Sequence, residues 1–120
     1  MATMNKVIEK MDRLKPNVFT DMDKCGWINT LEGLVAREVL DEDIPAYELP
    51  RDGDRELLIP HPFEDIYELW VGSMIDFYNR EYDGYNNLAL VFRDRYEQYK
   101  AWYIRRNQTG KALNFRNVMG

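Results

Sequence analysis

This 120-residue chain has one cysteine and one histidine, so two of the most versatile catalytic and metal-binding side chains are almost missing. Cys25 has no second thiol within the sequence, which excludes an internal disulfide or a zinc site built on cysteines. His61, held between Pro60 and Pro62, has no second histidine and no nucleophile beside it. There is no glycine-rich phosphate loop. No apolar run approaches the roughly 20 residues that cross a bilayer, and no signal-peptide pattern opens the chain. A lone thiol without a leader fits a reducing cytoplasm. Neither a cofactor nor a metal is expected.

What is present is apolar and aromatic. A hydrophobic fraction of 45% against 31% charged residues is the balance of a folded domain rather than a disordered chain. The length leaves room for one domain. Of the 16 aromatic residues, 12 lie between Phe63 and Tyr103. Charge is unevenly spread beneath the net −5: residues 1–97 hold 11 Lys/Arg against 21 Asp/Glu, a balance of −10. From Gln98 onward come Lys100, Arg105, Arg106, Lys111 and Arg116, with no acid. Such polarity suits head-to-tail contact between copies, or a basic end laid on an acidic partner.

Periodicity predicts helices. Thr3 caps a short first one with Val7, Ile8, Met11 and Leu14 at helical spacing, ended by Pro16. Thr20, with Asp21 and Asp23 in the first turn, starts a second carrying Trp27, Ile28, Leu31, Leu34, Val35 and Val39. Asp41 to Pro60 is an acidic connector with three prolines, ending in Leu57-Leu58-Ile59 pressed onto the bundle as a possible short strand. Pro62 pre-sets a third helix whose apolar arc runs from Phe63 to Tyr82, with Glu68, Gly72, Asp76 and Asn79 on the other side. So wide an arc implies a central helix. Asp83-Gly84 breaks it, and Asn86 or Asn87 caps a fourth. The fourth turns Leu88, Val91, Phe92, Tyr96, Tyr99, Trp102 and Tyr103 to the core, while Leu90, Ala101 and Ile104 share its far face. Thr109-Gly110 stops it. The expected fold is all-α: a four-helix bundle-like domain over residues 1–107 with a long helical hairpin, then an extended C-terminal arm over 108–120. Leu113, Phe115, Val118 and Met119 are the arm's apolar anchors.

Catalysis finds little support. The acids cluster in the connector or on helix faces, where a solvated loop is the ordinary reading. Cys25, next to Lys24 near a helix start, has a setting that modestly lowers a thiol pKa, although a packed helix-face residue is the plainer reading. Lys100, Arg105, Arg106, Lys111 and Arg116 interleave with Trp102, Tyr103 and Phe115, a mixture able to contact phosphates and stack on bases. A small regulatory or nucleic-acid-binding protein is therefore an alternative. Against it stand the acidic body and the macrodipole, which by itself favours cations in a last turn. The arm either packs back on its own bundle or orders on a partner.

Several short motifs occur in order over most of the chain. They are Asp12-Arg13-Leu14-Lys15-Pro16-Asn17, Trp27-Ile28-Asn29-Thr30-Leu31-Glu32-Gly33, Glu56-Leu57-Leu58-Ile59-Pro60 and Ile66-Tyr67. Asp76-Phe77-Tyr78-Asn79-Arg80-Glu81-Tyr82, Tyr85-Asn86-Asn87 and Asn114-Phe115-Arg116 follow. In this order the chain resembles the small all-helical head–tail connector (adaptor) proteins of tailed bacteriophages and Gram-positive prophages. The resemblance implies a non-enzymatic structural subunit of the virion neck, assembled in the host cytoplasm. Its partners would be the portal protein, neighbouring copies in a homo-oligomeric ring, and the next neck or tail-completion protein. DNA would pass through the ring without specific binding, and no membrane is involved. Under this reading Leu90, Ala101 and Ile104 are candidates for lateral contact. Arg105, Arg106, Lys111, Leu113, Phe115, Arg116, Val118 and Met119 are candidates for docking on the portal or a neighbour.

Overall fold

The computed structural model of the chain describes the backbone of residues 1–119 and the side chains of residues 1–107. Four helices follow in order: α1 (Met4–Leu14), α2 (Asp21–Glu38), α3 (Asp65–Tyr78) and α4 (Tyr82–Met119). The all-α expectation holds. Thr3 caps α1 by accepting from the Lys6 amide, and Met4, Val7, Ile8 and Met11 form its buried stripe. At the start of α2, Thr20 and Asp23 bond each other's backbone amides, which satisfies two otherwise orphaned donors.

The buried face of α2 is Lys24, Cys25, Ile28, Leu31, Glu32, Val35 and Ala36. Leu34, expected inside, is exposed, and Val39 is half-buried. Two charged side chains occupy the core face because both find partners there. Lys24 reaches Asp12 on α1, and Glu32 meets two tyrosines.

The helix α3 packs against each of the other three, whereas the backbone of α4 lies against α3 and, among the described residues, reaches α2 through the Lys100–Glu38 ion pair. The central role read from the wide apolar arc is confirmed, but its margins move. Gly72 and Asp76, expected on the polar side, are buried, and Phe77 and Tyr78 are exposed. Three neighbours enclose the middle of α3 on nearly every side and leave its last turn at the rim.

That last turn ends earlier than Asp83-Gly84 suggested. The chain reverses over Asn79–Glu81, where Arg80 takes φ 62° and the Glu81 amide bonds the Asp76 carbonyl at 2.8 Å. Gly84 instead lies in the first turn of α4, against the Asp76 carboxylate. A Cβ at position 84 would sit 2.6 Å from Asp76 Oδ2. Lys15 Nζ approaches Asp76 Oδ1 at 2.8 Å, an ion pair without hydrogen-bond alignment. One buried carboxylate thus links the end of α1 to the α3–α4 reversal.

The helix α4 has 38 residues, which at ~1.5 Å per residue gives about 57 Å, matching the molecule's longest dimension of 57 Å. Its bounds cross the expected division at residues 107–108, so the backbone of the extended arm is instead helical to Met119. Thr109-Gly110 does not stop the helix because an interior glycine costs only ~1 kcal/mol relative to alanine, and Lys111, Ala112 and Leu113 are strong helix formers. Residues 41–60 form no strand among the described residues. The strand-like pairing there is an isolated bridge between Thr3 and Glu56, with the Leu57 amide on the Ala2 carbonyl at 2.9 Å. Leu57 and Ile59 are buried, so the segment is pressed onto the bundle as expected.

Replacing Gly84 by alanine is expected to lower stability by about 1–3 kcal/mol through the clash with Asp76. Gly33→Ala, at an exposed site in α2 with no atom within 4 Å of the new Cβ, is expected to raise stability by about 0.5–1 kcal/mol. Urea denaturation followed by circular dichroism measures both; equal effects of one sign would refute the packing role of Gly84.

Candidate functional site

The densest polar cluster lies inside the protein and centres on Glu32, which is 1% exposed. Its carboxylate accepts from the Tyr47 hydroxyl at 3.0 Å, from the Leu58 amide at 3.0 Å and from the Tyr67 hydroxyl. The Tyr67 oxygen in turn accepts from the Ile59 amide at 2.7 Å. Burial pushes the Glu32 pKa above the ordinary carboxylate range, and the hydrogen bonds from Tyr67, Leu58 and Tyr47 pull the other way. Both tyrosines are held well above their usual range, first by burial and then by the neighbouring carboxylate. With every oxygen engaged by the fold, the arrangement fastens the connector to α2 and α3. Sequence reading missed it, although Glu32 stands four residues after Ile28 on the apolar face of α2.

Other chemistry-bearing residues are also tied into the structure. The Cys25 thiol is buried, and desolvation raises its pKa, reversing the lowering suggested by Lys24. The Lys24 ammonium is directed to Asp12 instead of the thiol. Part of the acidic connector is ordered rather than simply solvated. Asp52 is buried and accepts from Arg51 and from the Glu48 amide at 2.9 Å, and the Arg51 hydrogen bond is the first cause of its lowered pKa. His61 is exposed, with Nδ1 2.6 Å from Glu64 Oε1. Among the described residues no three His, Cys, Asp or Glu side chains are grouped as metal ligands. No described helix is long and apolar enough to cross a membrane.

The surface candidates divide into three groups. Leu90 and Ile104 are 64% and 50% exposed, and Ala101 is exposed with them. They do not form a continuous apolar patch, because Asp94 and Glu97 fall on the same face of α4 between them. Arg105 and Arg106 are exposed, and the Arg106 guanidinium stands 5.2 Å over the Trp102 ring. The side chains of Lys111, Leu113, Phe115, Arg116, Val118 and Met119 lie outside the described residues.

More continuous apolar surface appears where sequence periodicity placed core. Rings of Phe19, Trp27, Tyr78, Phe77 and Tyr85 touch in succession at centroid distances of 5.2–6.2 Å. Phe77 and Tyr78 in this chain are 42% and 54% exposed. Elsewhere, a groove of about 480 Å³ opens between α1 and α4 with α3 as its floor. Met11, Leu14, Leu69, Leu88 and Val91 line it, and Leu14 and Val91 are 60% and 49% exposed. Gly72 keeps the floor low, since a Cβ there would lie 3.3 Å from both Met11 and Leu88. Charged side chains at the edge are already paired: Lys10 with Glu68, Lys15 with Asp76, and Arg95 with Asp65. On the other side of α4, a smaller cleft of about 330 Å³ is lined by Trp70 and Phe92 but also by Glu38, Arg93, Glu97 and Lys100.

Comparison with protein-family models, with curated proteins and with solved structures finds no match for this chain.

Tyr67→Phe removes one donor to Glu32 and the acceptor of the Ile59 amide, and is expected to cost about 1–3 kcal/mol at pH 7. The sign with pH follows from the raised pKa of Glu32. Its ionised form is the one that needs the lost donor, so the penalty shrinks as pH falls through the folded-state pKa. Urea melts of both proteins between pH 7 and 4 test this; a penalty that grows toward low pH would refute it.

Proposed function

We propose that the chain is a structural subunit of a phage neck, a head–tail connector that assembles as a ring on the portal and extends the DNA channel toward the tail. The observation that carries this reading is the ordered run of connector-like motifs from Asp12-Arg13-Leu14-Lys15-Pro16-Asn17 to Asn114-Phe115-Arg116. Exposed apolar surface supports it from a second side. Phe77, Tyr78, Leu14 and Val91 lie on a small domain whose core is already closed by other residues, and contiguous apolar exposure marks interaction surfaces. The third support is charge. An acidic body and basic end on one chain suit a heterologous contact, which closes into a ring when the rotation permits. An acidic lumen would let DNA slide without sticking. In this reading the protein works by shape and contact, without catalysis.

Purified chain mixed with portal rings encoded beside it, imaged by electron microscopy, is expected to add a ring of density. Deletion of residues 109–120 is expected to abolish that density while circular dichroism still reports a helical fold. Absence of added density with the full chain would sink the portal-binding reading. Salt-dependent DNA binding lost on neutralising Arg105, Arg106 and Lys111 would favour the regulatory alternative.

A further inference from the structure

The groove between α1 and α4 has the form of a helix seat. It has two walls and a floor from three helices, it is lined chiefly by aliphatic side chains, and its edge charges are neutralised within the protein. An amphipathic helix entering such a groove anchors through residues at i, i+3 and i+7. A segment of this chain has that pattern: Ala112, Phe115, Val118 and Met119 fall on one face at about 100° per residue.

That segment cannot reach the groove of its own molecule. Leu88 and Val91, which form one wall, belong to the same continuous helix as residues 111–119. From Val91 to Phe115 the axis advances about 36 Å, at ~1.5 Å per residue, away from the groove. Return would require breaking α4. The segment is also basic, with Lys111 and Arg116 and no acid, whereas residues 1–97 carry a balance of −10. Opposite net charge on the two parts favours encounter between copies.

We propose that the α1–α4 groove receives the C-terminal end of α4, residues 111–119, from a second copy of the chain. Phe115 and Val118 enter between Leu14 and Val91, over the floor at Gly72. The contact is heterologous: each copy offers one groove and one helix end, so association continues until it closes into a ring. It is made between copies alone and stands apart from any contact with a portal.

The test uses the full-length chain without portal. One variant, Val91→Arg, blocks the groove; the other, Phe115→Asp with Val118→Asp, spoils the helix end. Circular dichroism is expected to show wild-type helicity in both, and Leu14→Arg replaces the groove variant if Val91→Arg loses it. In sedimentation velocity, wild type is expected to associate with rising concentration and each variant alone to remain a single chain. An equal mixture of the two is expected to form the mass of two chains and stop there, because only one intact joint remains. A mixture that stays monomeric, variants that associate like wild type, or a wild type that is monomeric up to about millimolar concentration would each overturn the proposal. Because portal binding is not a readout, these outcomes leave the neck reading to its own imaging test, and failure of portal binding leaves this joint unaffected.

Discussion

The rest of the fold hangs on a carboxylate that must be paid for: Glu32 sits in the core at 1% exposure. An isolated buried charge is costly, and it is tolerated only when hydrogen bonds replace the lost water. Here the donors come from three separate parts of the chain: the Tyr47 hydroxyl, the Leu58 amide and the Tyr67 hydroxyl. The Tyr67 oxygen also holds the Ile59 amide. A 20-residue connector without regular secondary structure is thereby given one path over α2 and α3. Withdrawing a donor leaves a buried charge less satisfied, so the network acts as a unit. Such directional bonds specify a path that apolar burial alone would leave loose.

A second constraint is the position of α3. Because it packs on all three other helices, α1 and α2 are spent on one part of its surface and α4 on another. The fourth helix packs on α3, meets α2 through the Lys100–Glu38 ion pair at 3.6 Å, and leaves a cleft on either side. The two clefts differ in chemistry. Glu38, Arg93, Glu97 and Lys100 make one polar, whereas Leu14, Leu69, Leu88 and Val91 make the other apolar. Asymmetry of this kind suits a protein whose inner core is complete and whose outer faces are used for contact.

Ion pairs reinforce the same division. Arg95 on α4 reaches both Asp65 and the Pro62 carbonyl at the start of α3 and stands 4.9 Å over the Phe63 ring. Lys24, 2% exposed, spends its charge on Asp12, and Lys15 spends its charge on the buried Asp76. These cations lock helix ends together. From Gln98 onward the sequence carries basic residues and no acid, so the net positive charge lies toward the end of α4.

Helix number, the caps at Thr3 and Thr20 and the central role of α3 were legible in the sequence, because each is a local property of spacing and side-chain type. So was the inward packing of Leu57 and Ile59. The end of α3 was misplaced because Asp83-Gly84 looks like a stop, whereas Gly84 is needed to admit the Asp76 carboxylate against α4. Glu32 and Asp76 read as surface because nothing near them in the chain can satisfy a buried carboxylate; their partners lie far along the sequence or across a reversal. Leu14 and Val91 read as core because periodicity tells which residues share a face, not whether another helix covers it. The amino-acid sequence by itself determined the helices and the charge gradient along them. Tertiary structure alone decided which charges were buried and which apolar faces stayed open, since both depend on how residues distant in the chain come together.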